Sequence, residues 1–318
     1  MLTTSLRKVL AAACIALLLA GTAHAAEFIS ILTGGTSGVY YPLGVALSQI
    51  YSKAIPGAKS SVQATKASAE NLNLLQAGRG ELAFTLGDAL SDAWMGNEEA
   101  GFKGPLKKLR GIAGIYSNYI QVVASADSGI KTLADLKGKR VAVGAPKSGT
   151  EINARAILKA AGLSYKDLGK VEYLPFGESV ELMKNRQVDA TLISAGLGVS
   201  ALRDLAVSVK MVVVPIPADI VAKVNDPAYI VGVIPANTYE GQATAVATVA
   251  IENFLVTHEG VPTDTVYKMT KSMYENLDQM VAAHTAAKAI KREEGPKHMP
   301  LPLHPGAEKY YREVGLIK

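Results

Sequence analysis

The chain has a single cysteine, Cys14, near its start. Nothing after position 14 can form a disulfide, act as a thiol nucleophile or build a zinc–thiolate site. Long apolar stretches are also lacking. The run Val9–Ala20 is 12 residues long, short of the roughly 20 needed to cross a bilayer, and no later segment is long and apolar enough. Histidine is sparse as well: after the first segment only His258, His284, His298 and His304 remain, and none forms a His-x-x-x-His pair suited to a metal. The first three read as surface residues; His304 is placed to cap or pack the last helix. The densest basic runs, Lys107-Lys108-Leu109-Arg110 and Lys288 to Arg292, carry no interleaved aromatics, which argues against nucleic acid and for solvated faces.

The first 25 residues read as an address. Arg7 and Lys8 supply a positive start, Val9–Ala20 the apolar run, and Ala23-His24-Ala25 a small-residue end. This pattern predicts a secretory signal peptide cleaved before Ala26 and a periplasmic location. A retained anchor and a lipid-modified Cys14 are the alternatives; Ala11-Ala12-Ala13 lacks the large aliphatic residue that lipidation sites prefer. Removing Arg7 and Lys8 leaves 31 basic against 28 acidic residues, a formal charge of +3. The remaining chain, about 293 residues, is expected to be soluble and to form two domains.

What the sequence does contain is strand-like runs alternating with helical patterns, which predicts an α/β fold with a mostly parallel sheet. Strands are expected at Phe28–Thr33, Ser61–Thr65, Glu81–Leu86, Leu109–Tyr116, Ile120–Ala124, Lys139–Val143, Val171–Leu174, Ala190–Ile193, Lys210–Val214 and Ile230–Ile234. Helices are expected at Val39–Ala54, from an N-cap at Ser68 to Gly78, from Asp88, at Glu151–Ala161, at Ser179–Asn185 and after Pro262. Val246–Val256 is mixed apolar.

Two stretches stand out. Ile31-Leu32-Thr33-Gly34-Gly35-Thr36-Ser37-Gly38-Val39-Tyr40-Tyr41-Pro42 runs from strand through a small-residue loop into a helix, and Gly144-Ala145-Pro146-Lys147-Ser148-Gly149-Thr150 repeats the arrangement. Free N–H groups and the positive end of the helix dipole suit such places to a carboxylate or phosphate. Ligands of open α/β sheets bind beyond the carboxyl ends of the strands, where both loops lie. Neither loop matches the P-loop, the dinucleotide Gly-x-Gly-x-x-Gly or the Gly-x-Ser-x-Gly elbow. Ser37 and Ser148 have no base in view to activate them, and a binding protein needs none.

Residues across almost the whole chain after the leader resemble the TAXI proteins, solute-binding subunits of the TRAP (tripartite ATP-independent periplasmic) transporters. The resemblance is carried by Thr33 to Pro42, Ser68-Ala69-Glu70-Asn71-Leu72, Asp127 to Thr150, and the tail Pro302-Leu303-His304-Pro305-Gly306-Ala307-Glu308-Lys309-Tyr310-Tyr311. It implies an α/β, two-lobed periplasmic binding protein of type II (Venus flytrap), with mixed sheets and a hinged cleft. Residues 26–122 and 228–318 would form lobe 1 and 123–227 lobe 2, with crossings near Ile120–Ala124 and Ile230–Ile234. The implied partners are a small organic anion and the TRAP membrane permease subunits, with no cofactor and a monomeric state.

Carried over by position, the resemblance implies that Gly35, Thr36, Ser37, Gly38 and Tyr40 hold a carboxylate, that Ser68 and Asn71 face the cleft, and that Ser148, Gly149 and Thr150 contribute from the second lobe. Asp88, Tyr116, Asn118 and Gly196 complete the expected ligand-binding set. For Ser68 and Tyr40 the plainer roles are an N-cap and packing. Leu86-Gly87-Asp88 and Ile115-Tyr116-Ser117-Asn118 depart from the family's pattern by losing a Gln and a Glu. This favours a ligand without an ammonium, such as 2-oxoglutarate or another dicarboxylate, over glutamate or glutamine. A sensor subunit docking on a signalling receptor and an enzyme on the same fold are the competing classes.

Overall fold

The computed structural model describes residues 27–318; the signal peptide expected at 1–25, Cys14 included, lies outside them. Ten strands join in one sheet in the order β2-β1-β3-β10-β4-β7-β5-β6, with β8 also on β4 and β9 also on β10. On one side stand β1 (Glu27–Leu32), β2 (Ala58–Gln63) and β3 (Leu82–Leu86), mutually parallel. On the other stand β5 (Arg140–Ala142), β6 (Lys170–Glu172) and β7 (Ala190–Ala195), again parallel. Between them run the two longest strands, β4 (Leu109–Ser125) and β10 (Val246–His258), antiparallel to each other.

The register explains where a site can form. β4 pairs with β10 from Leu109 to Tyr119 and with β7 from Tyr119 to Ala124. The strand therefore passes out of the first half of the sheet and into the second. β1 and β3 are antiparallel to β10 and so run with β4, pointing their carboxyl ends toward the second half. β7 and β5 run against β4 and point theirs back toward the first. Each half thus aims the loop after its central strand at the other. β8 (Met211–Val214) pairs with the end of β4, and β9 (Ile230–Ile234) with the start of β10.

Helices cover both faces. In the first half α1 (Tyr40–Ala54), α2 (Ser68–Gln76) and α3 (Gly87–Met95) follow β1, β2 and β3; in the second α4 (Gly149–Ala160), α5 (Phe176–Lys184) and α6 (Ser200–Ser208) follow β5, β6 and β7. A short α7 (Ala218–Val224) precedes β9, and α8 (Thr263–Glu275), α9 (Leu277–Ala283) and α10 (Pro305–Glu313) follow β10. Neighbouring strand residues feed opposite cores, as the two-residue period of a strand requires. Ile31, Phe84, Val123, Ile193 and Leu255 pack in one, and Leu32, Ala83, Val122, Leu192 and Phe254 in the other. Strands buried on both faces read as unbroken apolar runs, which made β3 and β7 visible in the sequence.

Several expectations need correction. Leu109–Tyr116 and Ile120–Ala124 are one strand of 17 residues, because Ser117, Asn118 and Tyr119 continue the ladder with β10. Val246–Val256 is part of a 13-residue strand, its polar residues lying among buried ones. Ser68 is not an N-cap: Ala67 holds that place and Ser68 is the first helical residue. α6 and α7 carried no signal strong enough to be anticipated.

The C-terminal helix is fastened to the sheet through its tyrosines. His304 caps α10, its Nδ1 accepting the Gly306 N–H at 3.1 Å, and burial lowers the imidazole pKa so that this lone pair stays available. The Tyr311 hydroxyl donates to the Ile112 carbonyl at 2.9 Å and lies 2.9 Å from the Tyr274 hydroxyl. Tyr311→Phe leaves that buried carbonyl with one partner fewer and is expected to cost about 1–3 kcal/mol. Thermal unfolding then shows a midpoint lowered by roughly 2–4 °C per kcal/mol; an unchanged midpoint would show that the docking does not depend on this bond.

Candidate functional site

The loops after β1 and β5 meet at a cavity that lies between the two halves of the sheet. From the first half it is lined by Gly34, Gly35, Gly38, Val39 and Tyr40 and by the Thr65–Ser68 segment. Ala145, Ser148, Gly149 and Thr150 line it from the second. The wall between them is β4, through Tyr116 and Asn118, and the end of β7, through Ser194 and Ala195.

Both helices that begin here offer N–H groups. At α4 the Ser148 hydroxyl accepts the Glu151 N–H at 3.1 Å, which leaves the N–H groups of Gly149 and Thr150 at the first turn. At α1 the N-cap is Val39, whose side chain has no oxygen to cap with. Two helix starts of opposite halves therefore border one cavity, each with the partial positive charge of its dipole.

Two polar atoms on the wall are buried without a partner in the protein: the Tyr116 hydroxyl and Asn118 Oδ1. Both residues are 4% exposed. Asn118 is held in place, its Nδ2 donating to the Ser194 carbonyl at 2.9 Å, so its free oxygen is fixed as an acceptor. Buried polar atoms are nearly always paired, and these two unpaired ones belong to residues that line the cavity. Burial raises the Tyr116 pKa well above its ordinary value, keeping the hydroxyl protonated and able to donate.

Of the residues expected from sequence, Gly35, Gly38, Tyr40, Ser68, Tyr116, Asn118, Ser148, Gly149 and Thr150 line this cavity. Tyr40 brings its ring and backbone, since its hydroxyl donates to Asn253 Oδ1 and its ring stacks on Phe84 at 5.1 Å. The Ser68 hydroxyl accepts the Leu86 N–H at 3.2 Å.

The other five lie elsewhere. Thr36 is exposed. Ser37 joins the halves, its carbonyl accepting the Ser200 hydroxyl at 2.8 Å and the Ala201 N–H at 3.4 Å. Asn71 is a buried pin, with Nδ2 donating to the Thr33 and Phe84 carbonyls at 2.7 and 2.9 Å and Oδ1 accepting from Thr65. Gly196 packs behind Tyr116. Asp88 borders a second cleft instead, accepting from Asn153 Nδ2 at 2.6 Å and from the Tyr229 hydroxyl at 2.8 Å.

Sequence reasoning missed Lys66, Pro175, Phe176 and the end of β7 at Ser194 and Ala195. Ser194 and Ala195 obey the same rule that picked the two loops, lying at the carboxyl end of a strand. Lys66, exposed at the rim, is the one charged residue in the lining; histidine, cysteine and carboxylate are absent from it. Among the described residues no group of three or more His, Cys, Asp or Glu is placed to hold a metal ion, and no helix is long and apolar enough to cross a membrane.

The halves touch around the cavity. The Glu70 N–H donates to the Lys147 carbonyl at 3.1 Å. Gly149 comes so near the first half that a Cβ there would lie 2.6 Å from both the Ser68 hydroxyl and Leu86 Cδ1. Beside them Ala67 has φ 70° and ψ −150°, a conformation that glycine adopts readily and other residues pay for with about 1–3 kcal/mol of strain. Ala67→Gly is therefore expected to raise stability by about 1 kcal/mol, part of the relief being offset by the extra freedom of glycine in the unfolded chain. Urea unfolding would show the midpoint rising with an unchanged slope; a fall would mean that the packing of the Ala67 methyl against the core outweighs the strain.

Comparison with known proteins agrees with this architecture. A structure named as an L-cystine ABC transporter from Listeria monocytogenes superposes with a TM-score of 0.51 at 15% identity, covering 83% of this chain and 98% of that one. A protein from Bordetella bronchiseptica RB50 gives 0.54 at 14% identity over 91% and 98%. A structure concerned with glutathione import via GshT and the cystine ABC importer of Streptococcus mutans gives 0.51 at 12% identity over 84% and 98%. At such identities the likeness establishes the fold, that of the type II periplasmic binding proteins. The model of the NMT1-like family matches residues 31–315, nearly all of the described chain, and the protein belongs to that family.

Proposed function

We propose that the protein is an extracytoplasmic solute-binding protein that captures a small organic anion between its halves and delivers it to a membrane permease of the TRAP type. The observation that carries this reading is the cavity itself. Two helix starts from opposite halves, the Tyr116 hydroxyl and Asn118 Oδ1 converge on one space. Burying a carboxylate is costly unless it is well hydrogen-bonded. N–H groups of Gly149 and Thr150 and those at the start of α1 meet that need without a buried cation, and Lys66 adds positive charge at the rim.

Two anion-ready helix starts suit a ligand with two carboxylates, and Leu86 adds an apolar side chain to the lining. A dicarboxylate such as 2-oxoglutarate is the first choice. Glutamate or glutamine is the second, favoured by one observation: Asn118 Oδ1 is an acceptor and would take an N–H from the ligand. The ligand acts by preferring the closed arrangement, since it shifts the open–closed balance only by that preference. The closed form would be the one the permease recognises.

Thermal unfolding of residues 26–318 against dicarboxylates, keto acids and acidic amino acids tests the reading. A ligand at 100 times its Kd adds about 2.7 kcal/mol, which raises the midpoint by several degrees. Response to one class only, 2-oxoglutarate above glutamate, is expected. No shift with any of them, in protein shown by mass spectrometry to carry no bound solute, would contradict it. Gly149→Ala supplies a second test. Its methyl group would prop the halves apart at Ser68 and Leu86, an overpacking of about 1–3 kcal/mol. Affinity should fall roughly 5- to 150-fold while the unfolding midpoint without ligand holds steady.

A further inference from the structure

Beside the cavity a buried polar network crosses between the halves, bordered on its outer side by a second cleft. Asp88, in the first turn of α3, is 1% exposed. Its Oδ2 accepts from Asn153 Nδ2 of α4 at 2.6 Å and from the Tyr229 hydroxyl at 2.8 Å, and Asn153 Nδ2 lies 2.9 Å from that hydroxyl as well. Asn153 Oδ1 accepts the Ser194 hydroxyl at 2.6 Å, and the Ser194 carbonyl holds Asn118. A continuous chain of hydrogen bonds thus runs from a carboxyl group of the first half to the free acceptor in the cavity wall. Asp88 Oδ1 has no partner in the protein.

We propose that Asp88 is a latch: its carboxyl group locks the two halves together over the cavity, and closure is coupled to proton uptake there. The inference rests on the solute-binding reading for its purpose but not for its geometry. When the halves separate, Asp88 loses Asn153 and gains water; when they close, it is stripped of water. An ionised carboxylate resists that transfer and a protonated one does not. Burial pushes the Asp88 pKa up from the ordinary carboxylate range to about 7, against the lowering effect of the Tyr229 hydrogen bond.

The charged groups around the latch do not reverse this. Asp92 on α3 itself and Asp226 ahead of β9 add negative charge and raise the pKa further. Arg155 of α4 is engaged with Glu151 at 3.0 Å and with the Glu99 carbonyl. Lys159 of α4, Lys223 of α7 and Glu99 line the outer cleft that Asp88 borders. The sign follows directly. The closed form holds the proton more tightly, so closure is favoured most below the open-state pKa of about 4 and loses that advantage as pH rises through about 7. Within the window the closed-to-open ratio changes by up to about tenfold per pH unit.

The test uses the natural lack of cysteine after Cys14. Residues 26–318 carrying Lys53→Cys on α1 and Lys166→Cys after α4, both exposed sites, are labelled with a donor–acceptor dye pair. Energy transfer is followed from pH 8 to pH 5.5, with and without saturating 2-oxoglutarate, alongside its affinity. The closed fraction and the affinity should both rise as pH falls, affinity by about tenfold between pH 8 and pH 6. Asp88→Asn, which mimics the protonated latch, should close equally at every pH, and Asp92→Asn should keep the dependence. Equal response to pH in Asp88→Asn and the parent, or closure that strengthens as pH rises, would overturn the proposal. Tight but pH-independent binding would keep the solute-binding reading and remove the latch. Closure that follows pH with no binding of any anion would keep the latch and remove that reading.

Discussion

The antiparallel pairing of β4 with β10, from Leu109 against His258 to Tyr119 against Ala250, is the constraint on which the other elements depend. Among the described residues these are the two longest strands, and β4 pairs with strands on both sides. Because β4 changes partner at Tyr119, the strands on its two sides run in opposite senses, and each half points its central loop at its counterpart. A cavity with two helix starts facing inward is the geometric outcome. The same two strands connect the halves, and under the proposed function they would be the hinge about which the site opens and closes.

Under the proposed function, the inside of the site would hold negative charge without a buried positive one. Arginine and lysine bring charge but also a desolvation cost of their own. Backbone N–H groups at a helix start carry only partial charge and stay fixed by the helix behind them. Asn118 is likewise held by its pairing with β10 and its bond to the Ser194 carbonyl, and Tyr116 by Asn253 Nδ2 donating to its carbonyl at 2.8 Å. The lining is made of loops, helix starts and the wall strands, with Lys66 the one charged residue in it.

Much of this could be read from the sequence, for identifiable reasons. The glycine- and serine-rich loops announced themselves because close approach of backbone to ligand needs small residues, and β3 and β7 because burial on both faces leaves a continuous apolar signature. Asn71 and Asp88 had the right residue type and neighbourhood for a site. Only tertiary structure showed that Asn71 is consumed by the Thr33 and Phe84 carbonyls and that Asp88 faces Asn153 and Tyr229. Pro175, Phe176 and Ser194 come to the cavity from positions distant in the chain, and nothing local marks them. The long strands were broken or left unassigned because polar residues such as Ser117, Asn118 and Asn253 interrupt their apolar pattern at the very place where the site needs polar groups.

Crystals grown with 2-oxoglutarate would test the central claim most directly. The account predicts density between the two glycine loops, one carboxylate accepting from the N–H groups of Gly149 and Thr150 and the other near the start of α1, with the Tyr116 hydroxyl also bonded. Density in the cleft between Asp92, Arg155 and Asp226, or a cavity holding only water at saturating 2-oxoglutarate and glutamate, would contradict it.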